Sequence, residues 1–318
     1  MSDDIKISVD PDYFTREKEF TPKDFESDTT SIASRIAQGR IENGRRYQAL
    51  KEDDYWSPSD EKQFEAQENG TSSTLAQARD HGQLMPPIGT QQQPSVESTS
   101  SPPPITWIPP NCVFEVDDVL KEWTWRESFD FIHIRQLLGA FDEEGWAELY
   151  KKCYENLTPG GWLEQMEFDV RLHSDDGSLK PDSLLAGWGD NFIGCSARAG
   201  RSLKTQETMR GAIEKAGFVD VHENLYKVPL GPWPKDKQLK EAGQLNYLHW
   251  LSGLEGYAMW LLTKFGAPEP WSPEEVQVYL AGVRKEIKST STHGYGYARR
   301  VWARKPTAGE VVKREPVD

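Results

Sequence analysis

Four polar residues stand where two predicted strands end, and their types suit nucleoside binding and proton transfer. Asp117 and Asp118 follow a weakly alternating strand at residues 112–116, while His133 and Arg135 close the next strand. Ligands of an open parallel sheet bind outside the carboxyl ends of its strands, so all four side chains are expected near one ligand. The sequence therefore predicts a site made from two strand ends.

Each of these residues has a functional and a structural interpretation. The carboxylates of Asp117 and Asp118 can accept hydrogen bonds from a nucleoside or can cap a solvated turn. His133 can act as a general base or as a polar wall of the substrate site, because histidine changes protonation near neutral pH, or it can be purely structural. Arg135 can hold a ligand carboxylate or pair with one of the aspartates, and the internal ion pair is favoured.

Alternating strand and helix patterns place these residues in an α/β domain. Residues 129–134 predict a strand, Asp142 opens a helix, and a turn at residues 158–161 leads into a strand at 162–168. A second helix and strand follow at residues 204–221. Such repeats favour a largely parallel sheet with helices on both faces.

Helices interrupt this alternation in the C-terminal third. Residues 235–265 predict an aromatic helical stretch, and Ser272 followed by Pro273 has the cap and the proline of a helix start. A last strand is expected at residues 295–303. The helical insert, at about residues 235–288, therefore precedes the last strand and can cover a cofactor cleft.

The predicted domain organisation has five parts. Residues 1–34 are acidic and poor in aliphatic side chains, which is typical of disordered arms, and residues 35–68 are expected to form N-terminal helices. Residues 69–104 are rich in Gln, Ser and Pro and are interpreted as a linker or a degenerate cofactor loop. A domain at residues 105–306 and a flexible tail at 307–318 complete the chain.

Composition argues against several classes of function. The net charge of -14 gives a surface that repels phosphates and anionic lipids, so neither nucleic acid nor a membrane is expected as a partner. Three separated cysteines and six scattered histidines predict neither disulfides nor a metal site. The start of the chain lacks a signal-peptide pattern, and no apolar run approaches membrane-spanning length. We therefore expect a soluble, intracellular protein, cytoplasmic or nuclear.

An ordered series of segments resembles one protein family. The segments are residues 42–47 (Glu-Asn-Gly-Arg-Arg-Tyr), 107–118, 129–135, 157–162, 216–221 and 231–236. The series runs from about Arg40 to Pro306 and resembles the fungal S-adenosylmethionine-dependent methyltransferases related to the regulators of secondary metabolism that join velvet complexes. Several motifs in order are far more specific than any one of them.

The resemblance implies a class I methyltransferase fold, which is a Rossmann-like, mostly parallel sheet with an antiparallel last strand and a helical lid. It implies S-adenosylmethionine as cofactor, and His133 and Arg135 as catalytic residues facing the methyl group and the acceptor. The implied cofactor-binding residues are Arg45, Tyr47, Asp117 and Asp118, with the two aspartates near the adenine. The implied activity is methyl transfer to a small molecule or a protein side chain in fungal secondary metabolism or its regulation.

One region departs from the family pattern. Relatives carry an Asp-Ile-Gly-x-Gly-x-Gly turn and then a strand that ends in an acid, whereas here this interval holds the run at residues 69–104, with Gln91 where the acid is expected. Three hypotheses follow: an active enzyme, a catalytically inactive binding or regulatory protein, or a gene prediction that has lost coding sequence. The sheet is expected to be incomplete in its N-terminal half.

Overall fold

The computed structural model describes residues 6–10, 40–47, 62–63, 96–98 and 118–310. Within these ranges the strands are β1 (Arg40–Glu42), β2 (Arg45–Tyr47), β3 (Val96–Ser98), β4 (Phe129–Arg135), β5 (Leu157–His173), β6 (Val219–Pro229) and β7 (Tyr295–Arg304). The helices are α1 (Glu143–Asn156), α2 (Leu184–Arg198), α3 (Thr205–Lys215), α4 (Lys237–Phe265) and α5 (Pro273–Ile287).

Five strands form one sheet in the order β3-β4-β5-β7-β6. The strands β3, β4 and β5 pair in parallel, and β7 pairs antiparallel with both β5 and β6. The predicted class I methyltransferase-like fold, with an antiparallel last strand that follows a helical insert, is confirmed. The predicted incompleteness of its N-terminal half concerns residues outside the described ranges.

The helices α1 and α3 cover one face of this sheet. Alternate residues of β4, such as Ile132 and Ile134, point to this face, and His133 between them points to the other. They form a core with Tyr150 of α1 and Ile213 of α3. Because each strand alternates in this way, the second face of β4 and β5 carries His133 and Glu164.

Capping residues fix where the helices begin. The Asp142 carboxylate accepts a hydrogen bond from Gly145 N at 2.8 Å and starts α1. Ser272 and Glu275 form a reciprocal capping box at the start of α5. Both starts are those that the sequence predicts.

A second core joins α2, α4 and α5 into a lid. Its large buried side chains include Trp188 of α2, Trp260 of α4 and Leu280 of α5. The predicted lid helices α4 and α5 are confirmed, whereas α2 is missing from the sequence-based prediction. Glycines lower its helix propensity, and the Ser183 side chain, which accepts from Ala186 N at 3.1 Å, is the cap that marks its start.

The prediction of helices at residues 35–68 is wrong over residues 40–47, where β1 and β2 form an antiparallel hairpin. Asn43 and Gly44 have φ values of 49° and 75°. These left-handed conformations suit a two-residue hairpin turn, for which Asn-Gly is the strongest short sequence pattern. Turn chemistry thus outweighs the helical spacing of the flanking apolar residues.

Two further described segments differ from the sequence-based expectation. Residues 6–10, here called the N-terminal strap, lie in the arm expected to be disordered, yet Asp10 N donates to Trp233 O and Lys235 N donates to Ser8 O, both at 2.8 Å. β3 lies in the expected linker and pairs with β4. Backbone hydrogen bonds to an existing edge order both segments despite their composition.

Candidate active site at the carboxyl edge of the sheet

The carboxyl ends of β4, β5 and β6 meet the amino end of β7 at one edge of the sheet. β4 ends at Arg135 opposite Met166, while β5 continues to His173, which pairs with Tyr295. The chain therefore leaves β4 beside a length of β5 that β4 does not pair with, and this step in the sheet is here called the notch. Gly139, just after β4, lines a small cavity together with Trp260 of the lid. The notch and the lid thus face each other, as a ligand site of an open sheet requires.

His133 lies on the face of β4 opposite α1 and α3, two residues before the strand ends. Its Nδ1 is 3.0 Å from Glu164 Oε1, and Arg300 Nε donates to Glu164 Oε2 at 2.7 Å. Burial acts to raise the pKa of Glu164, but the hydrogen bond from His133 and the charge of Arg300 outweigh burial and lower the pKa. An ionised carboxylate can only accept, so His133 Nδ1 donates to Glu164, and Nε2 is the nitrogen that the neutral ring offers as an acceptor.

Arg135 is the last residue of β4 and shares the face of His133, because strand residues alternate. Its side chain is buried, with 7% exposed. It pairs in register with Met166 of β5. The structure therefore places the two predicted catalytic residues, His133 and Arg135, two positions apart on the same face of β4.

Asp118 lies near the same edge. Its Oδ1 accepts from Leu120 N at 3.1 Å, which is the turn geometry of the structural interpretation. Leu120 lies close to the first turn of α1, because a Cβ atom added to Gly145 would be 3.5 Å from Leu120 Cδ1. The helix α1 follows β4 and therefore begins at the carboxyl edge of the sheet. Asp118 thus lies at the end of the sheet where Arg135 lies, and its predicted partner Asp117 lies outside the described residues.

The other two predicted cofactor-binding residues, Arg45 and Tyr47, lie against the lid. Tyr47 is buried in the lid core. Burial acts to raise the pKa of Glu255 in α4, but Lys62 and, with a smaller contribution, Arg45 lower it. The structure therefore brings the hairpin to α4, and a role in cofactor binding stays a prediction.

Sequence reasoning missed three charged residues of this region: Glu164, Glu167 and Arg300. All three are buried within strands. The available signal was an unusual one, since two glutamates occur within residues 162–168, where every other residue except Gln165 is apolar or aromatic. Buried charges are rare unless paired, so such glutamates predict partners from other strands.

Comparison with known families agrees with this architecture. The fold is that of a class I methyltransferase, and the family model described as "Methyltransferase domain" matches residues 48–223, which include β3, β4, β5 and the segment at 69–104. The chain belongs to this methyltransferase family.

Individual relatives are fungal proteins. The chain is 32% identical over 293 residues to "Methyltransferase pytC" of Aspergillus terreus, covering 85% of this chain and 89% of the relative. It is 36% identical over 203 residues to "Secondary metabolism regulator LAE1" of Cochliobolus heterostrophus, covering 63% and 64%. It is 29% identical over 202 residues to "Protein-methionine methyltransferase laeA" of Emericella nidulans, covering 62% and 52%. The predicted family is confirmed.

The described part of the chain shows neither a membrane-spanning helix nor a metal site. No helix there, including the 29-residue α4, combines the length and apolar character needed to cross a membrane. The same ranges hold no group of three His, Cys, Asp or Glu side chains arranged to bind a metal. Cys153 and Cys195 are free and buried, and burial raises the pKa of both thiols.

Proposed function

We propose that this protein is an S-adenosylmethionine-dependent methyltransferase that acts in fungal secondary-metabolite biosynthesis or in its regulation. The observation that carries the proposal is that the family match contains the carboxyl edge of the sheet, with β4, β5 and the turn between β4 and α1. The names of the relatives support the biological setting, since one is a methyltransferase and another a secondary metabolism regulator.

The described residues fit this cofactor in their chemistry. Asp118 offers a carboxylate to a hydroxyl or amino group, and Arg135 offers a guanidinium to a carboxylate. One buried atom at the edge, Trp260 Nε1, has no hydrogen-bond partner among the described residues. Buried polar atoms are normally paired, so this edge suits a site that is completed by a ligand or by a covering segment.

The cofactor, when bound, supplies an electrophilic methyl group, and the protein supplies alignment and proton acceptance. Glu164 holds the His133 ring through Nδ1, so Nε2 is oriented and basic. An acceptor hydroxyl or amine that reaches Nε2 can lose its proton there as the methyl group is transferred. A base so placed contributes ~10²–10⁴-fold to the rate.

The acceptor is a small molecule or a protein side chain. The Emericella nidulans relative, a protein-methionine methyltransferase, supports a protein acceptor. A thioether has no proton to lose, whereas a hydroxyl or amine does. Dependence of turnover on His133 would therefore favour a hydroxyl or amine acceptor.

A second candidate function is a catalytically inactive binding or regulatory protein. The observation that favours it is the sequence itself, which contains no Gly-x-Gly-x-Gly turn. Such a turn brings backbone close to a cofactor. The two candidates differ in one measurable property, which is the affinity for S-adenosylmethionine.

Calorimetric titration of the full chain with S-adenosylmethionine tests the proposal. We expect saturable binding in the range of about 1 μM to 1 mM that is typical of enzyme substrates. Replacing Asp117 and Asp118 together by Ala should weaken it, while the double change Glu122→Ala and Glu127→Ala, at exposed positions between Asp118 and β4, should not. Absence of binding at millimolar cofactor would contradict the enzyme proposal and favour the inactive binding protein.

The proposed base gives a second prediction. His133→Gln should lower methyl transfer to a hydroxyl or amine acceptor by ~10²–10⁴-fold with little change in cofactor affinity. Transfer is measured as labelled methyl incorporated into a fungal extract. His222→Gln, which changes an exposed histidine on β6, is the matched control. Equal loss in both variants would refute the assignment.

A further inference from the structure

The residue that carries the inference is Glu167, a carboxylic acid buried beside the notch. It follows Met166, the last residue of β5 that pairs with β4, and its side chain has no solvent exposure. Burial raises the pKa of Glu167 to about 7, although hydrogen bonds act in the opposite direction. An ionised carboxylate here lowers stability relative to an apolar side chain. Burial alone therefore does not explain why this position holds an acid.

The contacts of Glu167 lead to the turn after β4. Its Oε1 accepts from Leu137 N at 3.1 Å and from Gln165 Nε2 at 3.3 Å. The Gln165 Oε1 atom accepts in turn from the Tyr150 hydroxyl at 2.6 Å. A line of hydrogen bonds thus runs from Tyr150 of α1 through β5 to the Leu137 amide in the turn. The turn is anchored to the sheet core by a side chain that is itself held in place.

The anchored turn has an unfavourable backbone. Gln136 has a φ of 56°, in the left-handed region that residues other than glycine rarely adopt. Strain of this kind persists only where surrounding contacts enforce it, and it concentrates at functional sites. The bond from Leu137 to Glu167 is such a contact, because Leu137 directly follows the strained residue.

The same turn is where the sheet meets the lid. Gly139 lines the small cavity with Trp260 of α4, and Arg201, which follows α2, donates to the carbonyl of Ala140. A shift of the turn would therefore move one wall of the candidate site relative to the lid. Misplacement by about 1 Å can cost about 100-fold in rate.

We propose that Glu167 is a positioning residue for methyl transfer. It fixes residues 136–139 in the conformation that receives the cofactor and the acceptor between β4 and the lid. Glu167 acts through this turn and touches neither reactant. The inference rests on the proposed methyltransferase function.

Two substitutions separate positioning from bulk stability. Glu167→Leu keeps the approximate volume and removes the acceptor, whereas Glu167→Gln keeps an oxygen that can accept from Leu137 N. Hydrogen exchange of the Leu137 amide, measured on the full chain without cofactor, should accelerate at least about 10-fold in E167L and stay near wild type in E167Q. In the methyl-transfer assay, kcat should fall about 100-fold in E167L, with a smaller change in the KM for S-adenosylmethionine. The kcat of E167Q should be close to that of the wild type.

Controls keep the test decisive. Glu148→Gln, at an exposed position of α1, should change neither exchange nor kcat. Tyr150→Phe keeps the ring and removes only the hydroxyl that bonds to Gln165. It should accelerate Leu137 exchange and lower kcat by smaller factors than E167L does, and it replaces E167L in the test if E167L does not fold.

Failure of this inference and failure of the proposed function are distinguishable. Wild-type binding of S-adenosylmethionine reports on the function, while the exchange measurement requires neither cofactor nor acceptor. Wild-type exchange at Leu137 in E167L, or faster exchange with an unchanged kcat, overturns the positioning role. If E167L does not fold, unchanged exchange of the Leu137 amide in Y150F overturns the positioning role.

Discussion

At the scale of single residues, the two buried glutamates of β5 behave in opposite ways. Glu164 faces His133 and Arg300, whose bonds and charge lower its pKa against the effect of burial. Glu167 faces the other side of the sheet, where burial dominates and raises its pKa to about 7. Their positions differ by an odd number, so they project from opposite faces. One strand therefore supplies an ionised acceptor for the candidate base and an anchor for the turn.

Glu164→Gln tests the buried ion pair between Glu164 and Arg300. The substitution removes the charge that Glu164 supplies to Arg300, which is 6% exposed, so the free energy of unfolding at pH 7 should fall by about 3–5 kcal/mol. Because folding lowers the pKa of Glu164, its contribution is present above the unfolded value of 4.5 and is lost as pH falls through the folded value. The difference between wild type and E164Q should therefore shrink in acid.

Denaturant unfolding between pH 3 and pH 8 measures this difference. Glu223→Gln is the matched control, since Glu223 pairs with Arg299 at an exposed position and should contribute less than about 1 kcal/mol. A deficit in E164Q that is no larger than the deficit in E223Q, or that grows in acid, would argue against the buried pair as a source of stability.

At the scale of elements, the sequence predicted those helix starts and strand ends that are determined by neighbouring residues. Asp142 and Ser272 mark the starts of α1 and α5 because caps act within three residues. The strand end at Arg135 was readable for the same reason. The Glu164 to Arg300 pair was not, because its partners are 136 residues apart and meet only through the antiparallel pairing of β5 with β7.

The misassigned elements also have physical reasons. Residues 40–47 have an apolar spacing compatible with a helix, yet the Asn43-Gly44 turn closes a hairpin that packs Tyr47 into the lid core. β5 begins at Leu157 rather than after the glycines, because Gly160 N and Gly161 O pair with the backbone of Lys305. In both cases tertiary pairing outweighs the local pattern.

The glycines of α2 give an element-scale prediction. A Cβ atom at Gly189 would lie 2.6 Å from Arg171 Cα, so α2 can approach β5 only without a side chain there. A Cβ atom at Gly187 would meet nothing within 4 Å. Gly189→Ala should lower the free energy of unfolding by about 1–3 kcal/mol, and Gly187→Ala should raise it by up to about 1 kcal/mol.

These two alanines lie two positions apart in the same helix, so helix propensity alone predicts equal effects. Thermal unfolding of both variants decides between propensity and packing. Stabilisation by G189A would show that α2 does not need this close approach to β5.

At the scale of the whole molecule, β5 joins two cores. Leu157 and Leu163 belong to the core between the sheet and its covering helices, and Leu172 of the same strand belongs to the lid core. The 17-residue length of β5 is what allows this. Because one strand serves both cores, the notch beside β4 and the lid above it keep a fixed relation.

The N-terminal strap adds a second tie between sheet and lid. Ile7 N donates to Asp175 Oδ2 at 3.4 Å in the loop after β5, and Asp10 forms an ion pair with Lys240 in the first turns of α4. The backbone of residues 8–10 meanwhile bonds to the segment that leads into α4. The strap thus connects the exit of β5 to the start of the longest lid helix.

Removal of residues 1–10 should therefore loosen the start of α4 without unfolding the sheet. The Lys235 amide loses its acceptor, Ser8 O, so its hydrogen exchange should accelerate at least about 10-fold, whereas the Val276 amide, bonded to Ser272 O in α5, should keep its rate. Loss of two backbone bonds and an ion pair should lower stability by about 1–3 kcal/mol, since each neutral bond contributes about 1 kcal/mol. Removal of residues 1–5 leaves these bonds intact and is the matched control. Unchanged Lys235 exchange after removal of residues 1–10 would show that the strap does not hold the lid, and equal acceleration at Val276 would show that the loss of order is global rather than local.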